Sequence, residues 1–264
     1  MCNRTIDQTR RPRLRLYVSY RNSPLPTIAS KLLFILGYLR KATTQDIFGA
    51  VFGMAQPVAN QWIQRLYDGL NQALAKLGAR PARQADDLDL ADDAIKRYFQ
   101  DGTERPIQRP KDAEVQETFY SGTNKRHTVK NHVLVNGKSE IVLLTAPCAG
   151  KKHDKKIADE AAFTLPEGSL RYQGFALAGT TIFQPKKKPR GAELTTAEKT
   201  QNRLISSVRV RVEHAIDGVK RYRIVKDQLR NWKPDFRDKV METCCGLHNF
   251  RLRFRPWTYF SVIT

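Results

Sequence analysis

The stretch that decides the fold spans residues 127–146 and reads HTVKNHVLVNGKSEIVLLTA. Its first half alternates with the period of two of a β-strand, which puts three valines on one face, at positions 129, 133 and 135. Asn136-Gly137 is the strongest short signal for a hairpin turn, so the second half is predicted to return as the partner strand. An antiparallel hairpin is therefore expected near the middle of the chain.

The sequence around the hairpin predicts a mixture of strands and helices. Strands are expected at residues 95–100 and 180–183, and helices at 153–162, from Thr195 or Thr196 through Val219, and at 236–254. The first of these strands runs directly into Asp101-Gly102, which would place the short carboxylate of Asp101 at the rim of the sheet. This mixture indicates an α/β domain, assigned to residues 90–255.

Three short helices are predicted ahead of that domain, at residues 28–40, 46–52 and 57–77. The apolar side of the first is expected to carry Leu32, Leu33, Leu36 and Leu39. The apolar side of the third is expected to carry Ala59, Ile63, Leu66, Leu70, Ala73 and Leu77.

Tight turns between these helices favour a helix-turn-helix unit, assigned to residues 28–80, behind a basic arm or linker at residues 1–27. Its third helix would offer four polar side chains to a DNA groove, namely Asn60, Gln61, Gln64 and Arg65. The alternative is a small helical bundle whose polar face binds nothing.

The charge of the chain favours a polyanionic partner. The 264 residues include 46 Lys and Arg against 26 Asp and Glu, a formal net charge of +20. Residues 1–85 and 171–264 carry net charges of +10 and +12, whereas residues 86–170 carry −2. Basic flanks around a carboxylate-rich middle suit a nuclease, because carboxylates hold hard cations while basic surfaces hold phosphates. An ordinary solvated acidic loop explains the same asymmetry.

The remaining composition predicts a cytoplasmic protein. No apolar run approaches the roughly 20 residues of a membrane span, and no apolar segment with a cleavage site follows the basic N-terminus. The four cysteines include the adjacent pair Cys244-Cys245 and form no Cys-x-x-Cys, so reduced thiols are expected. A zinc site using Cys148 with His153, or the adjacent cysteines with His248, is a weaker alternative.

Several stretches together resemble a known family. They are Asp101-Gly102-Thr103-Glu104, Phe119-Tyr120-Ser121-Gly122, His127-Thr128-Val129-Lys130, Gly150-Lys151-Lys152-His153-Asp154, Pro185 to Gly191, Arg209 to His214 and Gly246-Leu247-His248-Asn249-Phe250. In this order they resemble DDE-superfamily transposases of bacterial insertion sequences, in the branch shared with Harbinger-type elements. The first helices, including Phe52-Gly53-Met54 and Trp62, resemble the helix-turn-helix region of that family. The resemblance extends from about residue 28 onward.

The resemblance implies an RNase H-like mixed sheet with flanking helices, preceded by a small all-α helix-turn-helix domain. It also implies cleavage and transfer of double-stranded DNA at transposon ends, with a possible homodimer on the DNA. In such enzymes two Asp and one Glu hold two Mg²⁺ or Mn²⁺ ions, which suits in-line displacement at phosphorus. Asp101 matches the first of these positions and Glu213 the last. Taken without the resemblance, each is more often a structural residue, and Arg209 offers Glu213 a salt bridge.

The loop that carries Lys186, Lys187, Lys188 and Arg190 has two interpretations. Within the resemblance it contacts DNA, in a bacterial protein associated with the nucleoid. By itself the run is similar to a nuclear localisation signal, which would apply if the host were eukaryotic.

The second acidic position of the family departs from the pattern. No Asp occurs from residue 160 to residue 216, and Tyr172 stands where the family has Asp. Glu167 comes too early and follows Pro166, whereas Asp154 is a stand-in metal ligand or equally a helix cap. We therefore expect a transposase with impaired cleavage; the alternative is a non-catalytic DNA-binding protein, degenerate or repurposed.

Overall fold

A computed structural model describes residues 22–88, 97–161, 170–172, 182–183, 185–229 and 235–257. Within these ranges the chain forms two compact units. One comprises residues 22–38 and 43–66, and the other comprises residues 39–42 and those from 67 onward. No helix in the described part is long and apolar enough to cross a bilayer.

The first unit is helical and contains an aromatic cluster. Helices α1 (Ile28–Lys41), α2 (Gln45–Val51) and the beginning of α3 (Gln56–Lys76) form it. The ring of Phe34 in α1 lies 5.1 Å from that of Phe48 and 4.9 Å from that of Phe52. These contacts fix how α1 and α2 pack, because large rings bury the most apolar area and prefer tilted pairs.

The three predicted helices are present, and their two predicted apolar faces are partly correct, since Leu39, Ala59 and Ile63 are buried as expected. In α1, Leu32 and Leu33 are 44% and 66% exposed, and the buried positions are Phe34, Ile35, Tyr38 and Leu39. In α3 the buried positions are Ala59, Ile63, Tyr67 and Leu74, whereas Leu66 and Leu70 are half-buried and Ala73 and Leu77 are exposed. Aromatic packing selects the buried side, since α1 is apolar over most of its circumference.

One mixed sheet forms the centre of the second unit. Among the described residues it has seven strands, β1 (Arg97–Pro106), β2 (Tyr120–Ser121), β3 (Arg126–Val135), β4 (Ile141–Leu144), β5 (Cys148–Ala149), β6 (Leu170–Tyr172) and β7 (Ile182–Phe183). The long strands β1 and β3 pair antiparallel, and β6 and β7 continue the sheet parallel to β1. The other edge of β3 pairs with β2, β5 and β4. The expected α/β class is confirmed.

The predicted hairpin is present as β3 and β4, with a turn wider than Asn-Gly alone implies. Ser139, with φ of 67°, takes the left-handed position. The side-chain oxygen of Asn136 accepts hydrogen bonds from the backbone nitrogens of Lys138 and Glu140. This arrangement is typical of a three-residue hairpin loop built on a type I turn.

In the part of the chain that the structure describes, five helices flank the sheet: α4 (Ala113–Phe119), α5 (Asp154–Ala161), α6 (Thr196–Lys220), α7 (Arg223–Lys226) and α8 (Phe236–Phe254). Thr195 caps α6 in a capping box with Glu198, in agreement with the sequence. α6 packs against β1 and α8, and Gly218 lets it approach His248 closely. Burial lowers the pKa of His248 to about 4, so this histidine is neutral and belongs to the core.

Candidate functional site

Asp101 lies in the middle of β1 and not at the end of a strand. The strand continues through Gly102 to Pro106, and Asp101 pairs with Val133 of β3. The predicted position at the sheet rim is therefore wrong, because β3 supplies paired residues along the whole segment. Strand side chains alternate, so Asp101 projects to the same face as Phe99. Arg211 of α6 lies 5.8 Å from the Phe99 ring, which identifies this face as the one that α6 covers.

The electrostatic surroundings of Asp101 disfavour its ionised form. Burial raises the pKa of Asp101, and the negative charges of Asp154 and Glu213 raise it further. The backbone N–H of Gly102, which donates to Asp101 Oδ1 at 2.9 Å, and the charge of Arg209 oppose this increase without cancelling it. A half-buried carboxylate with a raised pKa next to other carboxylates is typical of a functional site.

Glu213 is exposed on α6, on the side of the sheet to which Asp101 projects. Its Oε1 accepts a hydrogen bond from Arg209 Nη2 at 3.2 Å, one helical turn away. The salt bridge that the sequence offered as an alternative role is thus present. The charge of Arg209 also lowers the pKa of Asp101 and the charge of Glu213 raises it, so both side chains act on the Asp101 carboxyl.

Asp154 lies against the opposite face of the sheet. A Cβ placed on Gly102 would come 3.1 Å from Asp154 Oδ1, and Gly102 projects away from the face of Asp101. Asp154 Oδ1 lies 3.4 Å from Lys130 Nζ, which also lies 3.1 Å from Glu104 Oε1. Asp154 therefore joins an ion-pair triad with Lys130 and Glu104.

Glu104 is a carboxylate that accepts several hydrogen bonds, and the sequence had assigned it no role. Burial would raise its pKa, but hydrogen bonds from Asn124, Lys130, Ser121 and Thr128 hold the pKa of Glu104 below its usual value. Glu104 and Lys130 are direct cross-strand partners in β1 and β3. Their opposite charges indicate a contact only once the register of β1 and β3 is known, so the sequence alone could not predict this pair.

Among the described residues, these carboxylates do not form a two-ion site. Nowhere in the described ranges do three His, Cys, Asp or Glu side chains gather as metal ligands. Asp101 and Glu213 share one face, and Asp154 occupies the other. Cys244 and Cys245 are buried in α8, where burial raises the pKa of Cys244 and brings that of Cys245 to about 12. Both thiols stay protonated and apolar.

Tyr172, which the resemblance aligns with the second acidic position, is the last described residue of β6. In the parallel pairing the Cα of Tyr172 lies opposite Phe99, two residues before Asp101. The predicted strand at residues 180–183 is represented by β7, and residues 173–181 lie outside the described ranges. The sequence contains neither Asp nor Glu between Glu167 and Glu193. The chain therefore carries no acid where β6 ends.

The four predicted DNA contacts on α3 differ in exposure. Gln61 and Arg65 are exposed, whereas Asn60 is half-buried and accepts a hydrogen bond from Gln45 Nε2 at 3.3 Å. The side-chain nitrogen of Gln64 is buried and makes no hydrogen bond to any described residue. Gln61 and Arg65 are thus the two side chains best placed to reach a ligand.

The basic loop is fixed to the beginning of α6. Asn202 accepts from the backbone nitrogen of Lys186 at 2.7 Å and donates to its carbonyl at 2.9 Å. Lys186 pairs with Glu198, and Lys188 pairs with Glu193. The side chains of Lys187 and Arg190 are exposed. The loop thus presents its charges from a defined backbone.

We expect Asp101→Asn to raise the free energy of unfolding at pH 7 by about 0.5–2 kcal/mol, a gain typical of removing an unfavourable charge from a functional site. The pKa of Asp101 is higher in the folded protein than its ordinary value of 3.8, so ionisation destabilises the fold. The gain should be complete above the raised pKa and should vanish as the pH falls below 3.8. Urea unfolding between pH 3 and pH 7 measures it. Asp217→Asn, at an exposed site on α6, is the control; a loss of stability in Asp101→Asn at pH 7 would contradict this electrostatic account.

Comparisons with known proteins agree with one another. The family described as DDE superfamily endonuclease matches residues 100–249, which include both Asp101 and Glu213. The chain is 23% identical to the probable transposase for insertion sequence element IS702 of Microchaete diplosiphon over 239 residues, 88% of this chain and 83% of that protein. It is 25% identical to the putative transposase for insertion sequence element IS112 of Streptomyces albus G over 203 residues, covering 76% and 72%. No solved structure gives a significant match.

Proposed function

Because the chain belongs to the DDE superfamily endonuclease family, we propose that it is an insertion-sequence transposase that binds the DNA ends of its element and has impaired strand cleavage. The observation that carries this proposal is that α6, the helix of Glu213, covers the face of the sheet to which Asp101 projects, while the sequence has no acid from residue 168 to residue 192. The names of both relatives support the transposase assignment. The branch shared with Harbinger-type elements belongs to the same proposal.

The order of the strands supports an RNase H-like sheet in the second unit. The central strand β1 carries Asp101 and lies between the antiparallel β3 and the parallel β6. The helix that carries Glu213 comes after the last strand and packs on β1. We assign the endonuclease domain to residues 90–255 on this basis.

The family implies dependence on a divalent metal, and we propose Mg²⁺ or Mn²⁺ as the ion. A hard divalent cation needs several oxygen ligands, and two-ion phosphoryl transfer needs carboxylates on both ions. The described carboxylates supply two on one face, of which Glu213 is already paired with Arg209. Tyr172 in place of the second Asp removes a metal ligand and leaves the basic surfaces intact. The protein should therefore keep DNA binding while its strand cleavage is impaired.

DNA binding is proposed for the helical N-terminal region and for the basic loop. Residues 28–80 would form a helix-turn-helix domain that presents Gln61 and Arg65 on α3. Of the expected basic arm, residues 1–27, the part up to residue 21 lies outside the described ranges. Lys187 and Arg190 of the loop before α6 would contact phosphates. The net charge of +20 supports both assignments. Binding as a homodimer in the bacterial nucleoid is part of the same proposal.

Arg65→Gln should weaken binding to duplex DNA from the element's ends about tenfold. It should also reduce the slope of log K against log salt concentration by about one. Fluorescence anisotropy over a range of salt concentrations measures both effects, and sedimentation gives the stoichiometry. Lys76→Gln, an exposed charge farther along the same helix, is the matched control and should change little. Equal losses in both variants, or no duplex binding at low salt, would contradict the assignment of α3.

A second candidate is a DNA-binding protein without any catalytic role. The same lack of an acid from residue 168 to residue 192 favours it. The two candidates share every binding surface and differ only in residual metal-dependent cleavage, which a nicking assay in Mg²⁺ or Mn²⁺ measures directly.

A further inference from the structure

A pocket of about 740 Å³ opens between α4, β2 and the loop that follows β5. Six of its lining residues offer polar or aromatic groups, namely Arg109, Gln116, Glu117, Tyr120, His127 and Lys151. Tyr120, His127 and Lys151 belong to stretches that the transposase resemblance singled out and that the proposed function leaves without a role. A cavity of this size suits a small organic group.

The walls of this pocket are held by backbone contacts. Asp112 caps α4 by accepting a hydrogen bond from the backbone nitrogen of Val115 at 2.9 Å. The chain passes from α4 directly into β2, where Tyr120 pairs with His127. A Cβ on Gly150 would lie 2.9 Å from the carbonyl oxygen of Phe119, so only glycine lets the loop that carries Lys151 lie against the end of α4. The pocket is therefore a defined feature of the fold.

One wall of the pocket is aromatic. The rings of Tyr120 and His127 lie 5.6 Å apart at an angle of 70°. Tyr120 is nevertheless 44% exposed. A ring that is held at its edge and open to solvent is a surface on which a planar group can stack.

Two other lining residues of the pocket, Arg109 and Lys151, are cationic. Arg109 Nε donates to Gln116 Oε1 at 2.8 Å, which orients the guanidinium, and its two terminal nitrogens make no hydrogen bond to a described residue. Lys151 Nζ lies 2.6 Å from Glu117 Oε1, with 62% and 77% of the two side chains exposed. Exposed ion pairs contribute little to stability, so a phosphate can replace Glu117 as the partner of Lys151.

We propose that this pocket binds one unpaired nucleotide of DNA, with the base on Tyr120 and the phosphate between Arg109 and Lys151. An aromatic platform beside cations is the usual chemistry for single-stranded nucleic acid. A base inside a duplex is already stacked on its neighbours and cannot reach Tyr120. This assignment rests on the proposed function as a DNA-binding protein, and it adds that a strand is unpaired where it meets the second unit.

The test compares two DNA probes on the full-length protein by fluorescence anisotropy. One is a duplex with a short unpaired dT tail, and the other is the same duplex without the tail. Tyr120→Ala should reduce the preference for the tailed probe roughly tenfold, which is the usual loss when one stacking ring is removed. Tyr120→Phe keeps the ring and should keep the preference. Lys151→Gln should weaken binding of the tailed probe and reduce the slope of log K against log salt concentration by about 0.7.

Phe254→Ala removes an aromatic residue that is 71% exposed elsewhere in the same unit, and it is the matched control. Unchanged tail preference in Tyr120→Ala, with duplex binding intact, would overturn the nucleotide pocket alone. A chain that binds neither probe would overturn the proposed function together with the pocket. Tighter binding of an RNA tail than of the DNA tail would overturn the assignment to DNA.

Discussion

Replacing Asn249 with alanine is expected to lower the free energy of unfolding by about 3–5 kcal/mol. The Asn249 side chain is buried in α8 and makes three hydrogen bonds to backbone. Its Nδ2 donates to the carbonyls of Ala79 at 3.0 Å and Ile141 at 2.9 Å, and its Oδ1 accepts from the nitrogen of Ile141 at 2.8 Å. Alanine would leave three buried backbone groups unsatisfied, at about 1–3 kcal/mol each.

Urea unfolding of the purified variant measures this loss as a shift of the transition midpoint. Asn124→Ala is the matched control, because Asn124 is exposed and its side chain donates to Glu104 alone. The control should lose no more than about 1 kcal/mol. Similar losses in the two variants would contradict the view that Asn249 ties α8 to β4.

This view changes the interpretation of the stretch from Gly246 to Phe250. In the sequence it stood out through resemblance to the transposases, and Cys244, Cys245 and His248 suggested a metal site. In the structure His248 Nε2 lies 3.0 Å from the carbonyl oxygen of Ser139 in the hairpin turn, and Asn249 binds the strand that follows. Their partners are more than 100 residues away in sequence, so no local pattern could reveal them.

The hairpin shows what the sequence can predict of the fold. The alternation of residues 127–135 and the Asn-Gly pair identified two strands and their order, because both signals are local. The turn geometry depends on the Asn136 side chain and on Ser139, and this choice among loop types is not encoded in the Asn-Gly pair. The prediction of the buried side of α1 was partly incorrect for a related reason. That side is decided by contact with Phe48 and Phe52, which lie outside the helix.

The candidate site likewise has features that the sequence could predict and features that it could not. Resemblance identified Asp101 and Glu213, and α6 lies on the face to which Asp101 projects. The position of Asp101 within β1, and of Asp154 on the opposite face, depends on the register between β1 and β3. A shift of one residue in that register exchanges the two faces, so spacing along the chain could not assign Asp154 to either.

The largest effect expected of this protein is the loss of most or all strand cleavage. Losing a ligand of a two-ion site removes several kcal/mol of transition-state stabilisation, or about 10³-fold in rate. We propose that Tyr172 stands in place of the second acid, and Asp154 is held by Lys130 on the other face. Duplex DNA should therefore be bound, and cut slowly or not at all.

The most direct test is nicking of a supercoiled plasmid that carries the element's own ends, with purified full-length protein in Mg²⁺ or Mn²⁺. The predicted result is little or no nicking above the level of Asp101→Ala, although both proteins bind the plasmid. Asp217→Ala, at an exposed carboxylate one turn from Glu213, is the control for nonspecific effects of removing a charge. Robust metal-dependent nicking that persists in Asp217→Ala and disappears in Asp101→Ala would contradict the account.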